Sequence, residues 1–220
     1  MESFSSLYVI DDSEPRSAAT NMALDEALLA HAPAPTLRFY RWRNPALSFG
    51  YFGRFADAGA EAAGREIVRR WTGGGIVLHG TDVTYSVVVP QQQLSAAHSA
   101  RAVYSLVHAA IGRALAEHMQ VEVAARDAVK VSDACFANPV TADVLVNGQK
   151  IAGAAQRRTR DGLLLQGSVQ CATLPASFRT DFAAALHPAC ERGLLAPEVI
   201  DTATAIAARR YATDEWQRLR

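Results

Sequence analysis

Apolar residues recur along the chain with two different periods, which separates strand-like from helix-like segments. Short apolar runs at 7–10, 37–42 and 46–53 predict strands, and the last two are rich in aromatic residues and separated by an Asn-Pro turn. Ser17 instead begins a stretch rich in Ala and Leu, and residues 99–119 carry apolar side chains at i, i+3, i+4 and i+7. Both stretches predict amphipathic helices, which begin at their serines.

The centre of the chain carries apolar segments on both sides of three consecutive glycines. Residues 66–71 (EIVRRW) lead into the glycines, and residues 75–80 (GIVLHG) and 84–90 (TYSVVVP) follow them. We predict short strands for these segments, and a weak helix for the Ala-rich residues 56–64 before them.

The clearest turn signal in the chain is Asn147-Gly148, which stands between two short apolar runs in residues 143–153. Both turn residues adopt positive φ readily, so the pair predicts a type I′ hairpin. A second turn at 160–162 would extend this hairpin into a three-stranded meander, and residues 175–186 and the last 30 residues predict helices. Because the hairpins are segregated from the helices, the pattern predicts an α+β fold with a mixed or antiparallel sheet flanked by helices.

Composition narrows the class of protein without identifying it. The chain has 220 residues, of which 50% are apolar and 20% charged, as in an ordinary globular domain, so we expect one domain over residues 1–220 without a C-terminal accessory domain. The 22 Lys and Arg residues balance 22 Asp and Glu residues, so no broad attraction to nucleic acid or an anionic membrane is indicated. The three cysteines lack metal-site spacing, the first residues lack the basic and apolar regions of a signal peptide, and no window approaches the apolar length of a membrane span. We expect a cytoplasmic protein without a metal centre.

The glycine run itself points to a ligand. Consecutive glycines let a ligand approach the main chain, and they expose N–H groups to anionic oxygens. Arg69 and Arg70 could add charge-assisted hydrogen bonds to a carboxylate or phosphate. The spacing is neither that of a P-loop nor that of a dinucleotide-binding turn. A plain glycine-rich turn between two strands is the alternative.

Two further side chains are candidates for chemistry. Lys150 lies on the strand after the hairpin turn, pointing opposite to Ile151, where it could place a charge on an oxygen that becomes negative. Only two of the 22 basic residues are lysines. Cys135 lies 15 residues earlier, close to an Asn-Pro pair that predicts a loop, where a thiolate could act as a nucleophile. An exposed strand lysine and a bystander cysteine are the alternatives.

Five segments, in order along residues 20–170, resemble the lipoate–protein ligase A and octanoyltransferase superfamily, which shares its catalytic fold with biotin–protein ligase. They are NMALDEALL (21–29), RRWTGGGIVLHG (69–80), TYSVVVP (84–90), NGQKIAGAAQRR (147–158) and LLLQGSVQ (163–170). The resemblance implies a mixed sheet flanked by helices, with an apolar tunnel for a medium-length acyl chain. It also implies transfer of a lipoyl or octanoyl group to one lysine of a lipoyl carrier domain, such as the glycine cleavage H protein or a dehydrogenase E2 subunit.

The resemblance also implies roles for individual residues. Lys150 would lie against the acyl carbonyl oxygen, and Arg70 would contact the phosphate of an acyl-adenylate in a member that makes one. The bare main chain of the glycines would wrap that phosphate or the acyl head group. The residues implied to bind the acyl group or nucleotide, besides Arg70, are Thr72, Gly73, Gly74, Gly75, Ile76, Val77, Leu78, His79, Gly153, Gln156, Gln166, Gly167 and Ser168. For His79, a structural hydrogen-bonding role is an equal alternative.

Two chemistries share this fold. A ligase starts from the free acid and needs ATP, with Mg²⁺, to form an acyl-adenylate. A transferase starts from a thioester on acyl carrier protein and needs a nucleophile but no cofactor. Cys135 in the sequence ACF matches, in local sequence and in its distance from Lys150, the nucleophile of the cysteine-dependent octanoyltransferases.

The remaining features divide between the two chemistries. The Thr-Tyr-Ser run at 84–86 and the expected lack of a C-terminal accessory domain agree with a transferase, whereas the unbroken glycines resemble a ligase. We favour transfer through a Cys135 thioester. The alternatives are an ATP-dependent lipoate–protein ligase acting through lipoyl-AMP, an amidotransferase using the same cysteine, and a non-catalytic paralogue that binds an acyl group or a carrier.

Overall fold

A computed structural model describes residues 4–127 and 138–219. Within these ranges the strands are β1 (Tyr8–Arg16), β2 (Thr36–Trp42), β3 (Ala46–Phe49), β4 (Glu66–Arg69), β5 (Val77–His79), β6 (Val83–Pro90), β7 (Val121–Val123), β8 (Val144–Val146), β9 (Gln149–Thr159), β10 (Gly162–Val169) and β11 (Glu191–Gly193). The α-helices are α1 (Ala18–His31), α2 (Ala100–Leu115), α3 (Phe178–Leu186), α4 (Pro197–Ile206) and α5 (Asp214–Gln217). The other helical turns are the 3₁₀ turns Phe55–Ala62 and Gln91–Gln93 and the π-helical turn Ala207–Tyr211.

The strands form a large mixed sheet and a small one. The large sheet has the order β11-β1-β2-β6-β10-β9-β8-β7. Strand β1 is parallel to both of its neighbours, β11 and β2, and every later pair in this order is antiparallel. The small sheet has the order β4-β3-β5, with β3 parallel to β4 and antiparallel to β5. The mixed sheet with flanking helices confirms the predicted α+β class.

Helices cover both faces of the large sheet. On one face, α2 and α3 bury Val107 and Phe182 against Val87 and Leu165. On the other, α1 and α4 form a separate core with residues of β2, β6 and β10. Successive residues of a strand point to opposite faces, so β2, β6 and β10 supply residues to both cores. Of the described helices, none has the length and apolar character that a membrane span requires.

Local signals in the sequence agree with the structure. The hydroxyl oxygens of Ser17 and Ser99 accept hydrogen bonds from backbone N–H groups three residues later, at the starts of α1 and α2. Asn147 and Gly148 have φ of 50° and 72°, as a type I′ turn requires. The hairpin β8–β9 continues into β10, which confirms the predicted meander.

Two segments differ from the prediction. Residues 50–53 form a turn rather than strand, and the predicted helix at 56–64 is a 3₁₀ turn interrupted at Gly59, which has φ of 50°. The sequence pattern also did not predict that β1 and β2, which α1 connects, are parallel neighbours. Strand direction depends on long-range pairing, which the period of each strand does not encode.

Candidate active site

A cleft opens between the large sheet and the small sheet, on the α1 side. Its cavity volume is about 30 Å³. The sheet register assembles its floor, because Ser168 of β10 pairs with Thr84 of β6 on one side and with Gly153 of β9 on the other. The lining residues are Met22, Tyr40, Trp42, Ser48, Arg70, Val77, His79, Thr84, Gly153, Ala154, Ala155, Gln166, Gly167 and Ser168. Apolar groups form most of this wall, as an acyl chain requires.

Arg70, which lines this cleft, holds the glycine loop by hydrogen bonds. The Arg70 Nη2 donates to the carbonyl oxygens of Gly73 and Gly75, each at 2.9 Å, and Nη1 donates to the Ser48 hydroxyl at 2.8 Å. Gly74 has φ of 85°, a conformation that favours glycine. Its carbonyl oxygen lies only 2.0 Å from where a Cβ on Gly50 would be, so the main chains of the two segments touch.

Lys150 is held on the opposite side by an acidic partner. Its Nζ lies 2.8 Å from Asp143 Oδ2, and the Lys150 side chain is only 3% exposed. Asp143 also accepts hydrogen bonds from the Tyr104 hydroxyl at 2.5 Å and from the Val140 backbone N–H at 2.7 Å. Burial and the charge of Asp143 raise the pKa of Tyr104, so its hydroxyl remains a donor. A buried ammonium fixed in this way can stabilise negative charge on a nearby oxygen.

Strand β9 contains a bulge next to Lys150. Val144 pairs with Ala152 and Leu145 pairs with Lys150, so Ile151 is the extra residue. Lys150 then folds over Gly153, where a Cβ would lie 2.5 Å from its Cε and 2.7 Å from its Nζ.

The glycine loop and the Lys150 ammonium both lie over strand β9. A Cβ on Gly74 would lie 3.4 Å from the Ala155 Cβ, whereas Lys150 covers Gly153. Gly153 and Ala155 share a face of β9 and are about 7 Å apart along it. Both line the cleft. The three glycines and Lys150 are not among the residues that line the cleft, but Gly74 and Lys150 each lie against a residue that does.

A buried polar chain fixes the floor behind the glycine loop. The Thr72 hydroxyl donates to Gln166 Oε1 at 2.9 Å, and Gln166 Nε2 donates to Asp25 Oδ2 at 2.8 Å. Asp25 also pairs with the fully buried Arg38 at 2.9 Å. Thr72 and Asp25 are themselves 0% exposed, so this chain orients Gln166 toward the cleft without competition from solvent.

His79 joins the two sheets through hydrogen bonds of both ring nitrogens. Nδ1 lies 2.8 Å from Asp82 Oδ2, and Nε2 lies 2.6 Å from the Ser48 hydroxyl oxygen. The ring stacks on Trp42 at a centroid distance of 4.2 Å. Burial alone would raise the pKa of Asp82, but hydrogen bonds from His79 and Ser168 outweigh it, so the pKa is lowered and the carboxylate is ionised.

The structure places the predicted residues in three groups. Arg70, Val77, His79, Gly153, Gln166, Gly167 and Ser168 line the cleft directly. Thr72 and the three glycines lie immediately beside it, whereas Ile76 packs on the core of the small sheet and Leu78 lines a neighbouring cleft. Gln156 is placed elsewhere, because its Nε2 donates to the Ala100 carbonyl at the start of α2. Cys135 lies outside the described residues.

Sequence reasoning missed several lining residues. Tyr40, Trp42 and Thr84 occupy alternate positions of β2 and β6, so strand alternation could have placed them on one face. Strand alternation does not identify Ser48, whose partner His79 lies 31 residues away. It does not identify Asp82 either, which lies in a turn and bonds to His79 beside the cleft. No group of three or more His, Cys, Asp or Glu side chains arranged for a metal ion occurs in the described ranges.

Comparison with known proteins places this chain in a family. The family described as "Lipoyl protein ligase A/B catalytic domain" matches residues 17–192. The chain is 40% identical over 169 residues to Octanoyltransferase LipM of Oceanobacillus iheyensis, covering 72% of this chain and 62% of that protein. It is also 40% identical over 169 residues to Octanoyltransferase LipM of Kyrpidia tusciae, covering 70% and 62%. The chain therefore spans about three fifths of the length of these relatives.

A solved structure shows the same fold. Lipoate-protein ligase A bound with ATP superposes with a TM-score of 0.75 at 18% identity, covering 97% of this chain and 98% of that one. Identity this low supports the fold alone. The match over residues 17–192 confirms the resemblance of the five sequence segments, and the chain belongs to the lipoyl protein ligase A/B catalytic domain family.

Proposed function

We propose that this chain transfers an octanoyl group from acyl carrier protein to one lysine of a lipoyl carrier domain, in the cytoplasm. The observation that carries the proposal is the Lys150 ammonium, buried on Asp143 and folded over a glycine that lines an apolar cleft. The 40% identity to proteins named octanoyltransferase supports transfer as the chemistry. The acceptor would be a glycine cleavage H protein or a dehydrogenase E2 subunit.

The proposed mechanism has two steps. The Cys135 thiolate attacks the carbonyl carbon of the carrier thioester, the bond from that carbon to the carrier sulfur breaks, and an acyl thioester forms on the enzyme. The amine of the acceptor lysine then attacks the same carbon, an amide forms, and the Cys135 sulfur leaves. Lys150 would stabilise the negative oxygen in both steps. No cofactor takes part. The role of Cys135 rests on its sequence context.

An ATP-dependent ligase is the second candidate, and the glycine loop favours it. A Cβ on Gly73 would meet no other atom within 4 Å, so the loop leaves room for a ligand beside its main chain. In a ligase, ATP and Mg²⁺ would supply activation of the free acid as lipoyl-AMP. Arg70 would then contact the phosphate and Gly75 to Leu78 would line the nucleotide. A non-catalytic paralogue would have no need of the Lys150–Asp143 pair.

One assay with three donors separates these functions. The purified chain is mixed with a lipoyl domain and with octanoyl acyl carrier protein, with lipoate and ATP, or with octanoate alone, and acceptor mass is measured. A gain with octanoyl acyl carrier protein supports transfer, and a gain only with ATP supports ligation. No gain with any donor contradicts both.

Substitution of cysteine then tests the nucleophile. Cys135→Ala should abolish transfer from the thioester but spare ligation that depends on ATP. Cys171→Ala and Cys190→Ala, at the two free and partly buried cysteines of the described residues, are matched controls and should keep the wild-type rate. Intact mass of the isolated protein should show an octanoyl adduct that only Cys135→Ala removes. An unchanged transfer rate in Cys135→Ala would exclude the thioester.

A further inference from the structure

Asp143 is the acidic group that holds the Lys150 ammonium. The Lys150 Nζ lies 2.8 Å from Asp143 Oδ2, and the carboxylate is fully buried. A lysine side chain is a flexible four-carbon stem with a point charge at its end. The position of the charge therefore depends on the position of the carboxylate, and on the groups that hold the carboxylate in turn.

The two oxygens of Asp143 are held from different parts of the chain. Oδ2 accepts a hydrogen bond from the Val140 backbone N–H at 2.7 Å, only three residues away. Oδ1 accepts from the Tyr104 hydroxyl at 2.5 Å, and Tyr104 lies 39 residues earlier, on α2. A hydrogen bond to an ionised acceptor is stronger and more directional than one between neutral groups. The Tyr104 hydroxyl therefore opposes rotation of the carboxylate away from Lys150.

The start of α2 is fastened along the outer edge of β9. Strand β8 pairs with only the first part of β9, so the rest of that edge has no strand partner among the described residues. Helix α2 covers it instead: Gln156 Nε2 donates to the Ala100 carbonyl oxygen at 3.0 Å, and the Ala154 N–H donates to the Tyr104 hydroxyl oxygen at 3.4 Å. A hydroxyl group accepts and donates at once, so Tyr104 joins the β9 backbone to the carboxylate.

This link reaches the floor of the cleft without entering the cleft. Ala154 lines the cleft, as does Gly153, which Lys150 covers. The Tyr104 ring packs edge-on against His108, one turn further along α2, at a centroid distance of 4.1 Å. Tyr104 is not itself among the lining residues. Its hydroxyl can therefore act on the reaction only through the groups that it holds.

We propose that Tyr104 is a positioning residue for acyl transfer, which holds Asp143 and thereby places the Lys150 ammonium over the floor of the cleft. The proposal rests on the proposed function, in which that ammonium stabilises the negative oxygen. Burial, and then the charge of Asp143, raise the pKa of Tyr104 far above its ordinary value, so the hydroxyl keeps its proton and only positions. Because the oxygen becomes negative only as the reaction proceeds, loss of the hydroxyl should lower the rate of the chemical step and spare substrate binding.

The first test removes the hydroxyl group and keeps the ring. Tyr104→Phe should lower the maximal single-turnover rate by about 10-fold, within the cost of misplacing a reacting group by about an ångström. The half-saturating concentrations of octanoyl acyl carrier protein and lipoyl domain should stay within about twofold of wild type. Urea denaturation shows that the variant is folded under the assay conditions.

The matched control removes the same group from a similar pair elsewhere. Tyr211 is 1% exposed, its hydroxyl donates to Glu26 Oε2 at 2.8 Å, and neither residue lines the cleft. Tyr211→Phe therefore also deletes a hydrogen bond from a buried tyrosine to a carboxylate. Its maximal rate should equal that of wild type, so a loss confined to Tyr104→Phe is not the general effect of such a deletion.

The second test repeats the substitution where the ammonium is absent. In Lys150→Ala, adding Tyr104→Phe should cause no further loss of rate, because the hydroxyl then has no ammonium to position. Equal factors of loss in wild type and in Lys150→Ala would show a merely structural role and overturn the proposal, as would a wild-type rate in Tyr104→Phe. If the wild-type chain transfers from no donor, the proposed function has failed. If it transfers and only Lys150→Ala is slow, the function stands and the role of Tyr104 has failed.

Discussion

The two walls of the cleft hold their functional groups in different ways. On the glycine-loop wall, main chain packs on main chain, with Gly50 against the Gly74 carbonyl and Arg70 bonded to carbonyl oxygens. On the hairpin wall, one long side chain, Lys150, lies over Gly153 and is held by Asp143. At Gly50 the first wall leaves no space for an added atom, whereas at Gly153 the second can yield by moving a side chain. The same kind of substitution should therefore damage stability on one wall and activity on the other.

The largest effect on the rate of acyl transfer is expected from replacing Lys150, the functional group of the hairpin wall. Lys150→Ala should lower the rate of acyl transfer by about 100- to 1,000-fold, the usual cost of deleting one donor to a developing oxyanion. The prediction holds for transferase and ligase chemistry alike. The measurement is single-turnover transfer to a lipoyl domain, with Arg160→Ala, whose side chain is 93% exposed, as the control. Full activity of Lys150→Ala would remove the lysine from the site.

Adding a methyl group at Gly50 on the glycine-loop wall should lower the free energy of unfolding. The Cβ of Gly50→Ala would stand 2.0 Å from the Gly74 carbonyl oxygen and 2.7 Å from the Gly73 backbone, so two main-chain segments must separate. We expect a loss of about 3 kcal/mol in the free energy of unfolding, at the upper end of overpacking costs. Urea denaturation measures it.

The matched control for that substitution lies in the same loop. Gly73→Ala adds the same methyl group at a position with no other atom within 4 Å. Its free energy of unfolding should stay within about 0.5 kcal/mol of wild type. Equal losses in the two variants would contradict the difference in packing.

On the hairpin wall, the same substitution should spare stability and reduce activity. The Cβ of Gly153→Ala would lie 2.5 Å from Lys150 Cε, which is the flexible end of a side chain. The lysine can shift by about an ångström, and misplacement on that scale costs up to about 100-fold in rate. We expect an unchanged urea midpoint with a slower transfer. A normal rate would show that Lys150 tolerates displacement, and a large loss of stability would show that the two walls do not differ.

The two walls also differ in how well the sequence predicted them. The hairpin wall is local: the Asn147-Gly148 turn fixes the pairing of β8 with β9, so Lys150 could be placed from sequence with its strand. Even there the partner Tyr104 was missed, because it reaches Asp143 from 39 residues away. The glycine-loop wall depends on pairs such as Ser48 with His79, 31 residues apart, which only the packing of two sheets creates. Local propensity carries no information about such contacts.

The smallest effect tests the helix behind the hairpin wall. His108 of α2 is 0% exposed and packs edge-on against Tyr104 at 4.1 Å. Burial, and then the charge of Lys150, lower the pKa of His108 to about 3. Between pH 6.5 and 3 the unfolded chain binds a proton here that the folded chain excludes, so this site destabilises the fold as the pH falls, by about 2 kcal/mol at pH 5. His108→Gln should remove that part of the loss between pH 7 and pH 5, measured by urea denaturation at each pH.

Two further variants test whether the pH-dependent loss of stability at His108 depends on the hairpin wall. His118→Gln changes an exposed histidine near the end of the same helix and should leave the pH dependence as in wild type. Lys150→Ala removes the neighbouring positive charge, so the pKa of His108 should rise and the loss between pH 7 and pH 5 should become smaller than in wild type. If His108→Gln keeps the full loss, the imidazole is not the group that titrates. If His108→Gln removes the loss of stability between pH 7 and pH 5 but Lys150→Ala leaves that loss unchanged, the Lys150 ammonium does not affect the pKa of His108. Asp143 then holds the lysine without electrostatic coupling between the hairpin wall and the core behind it.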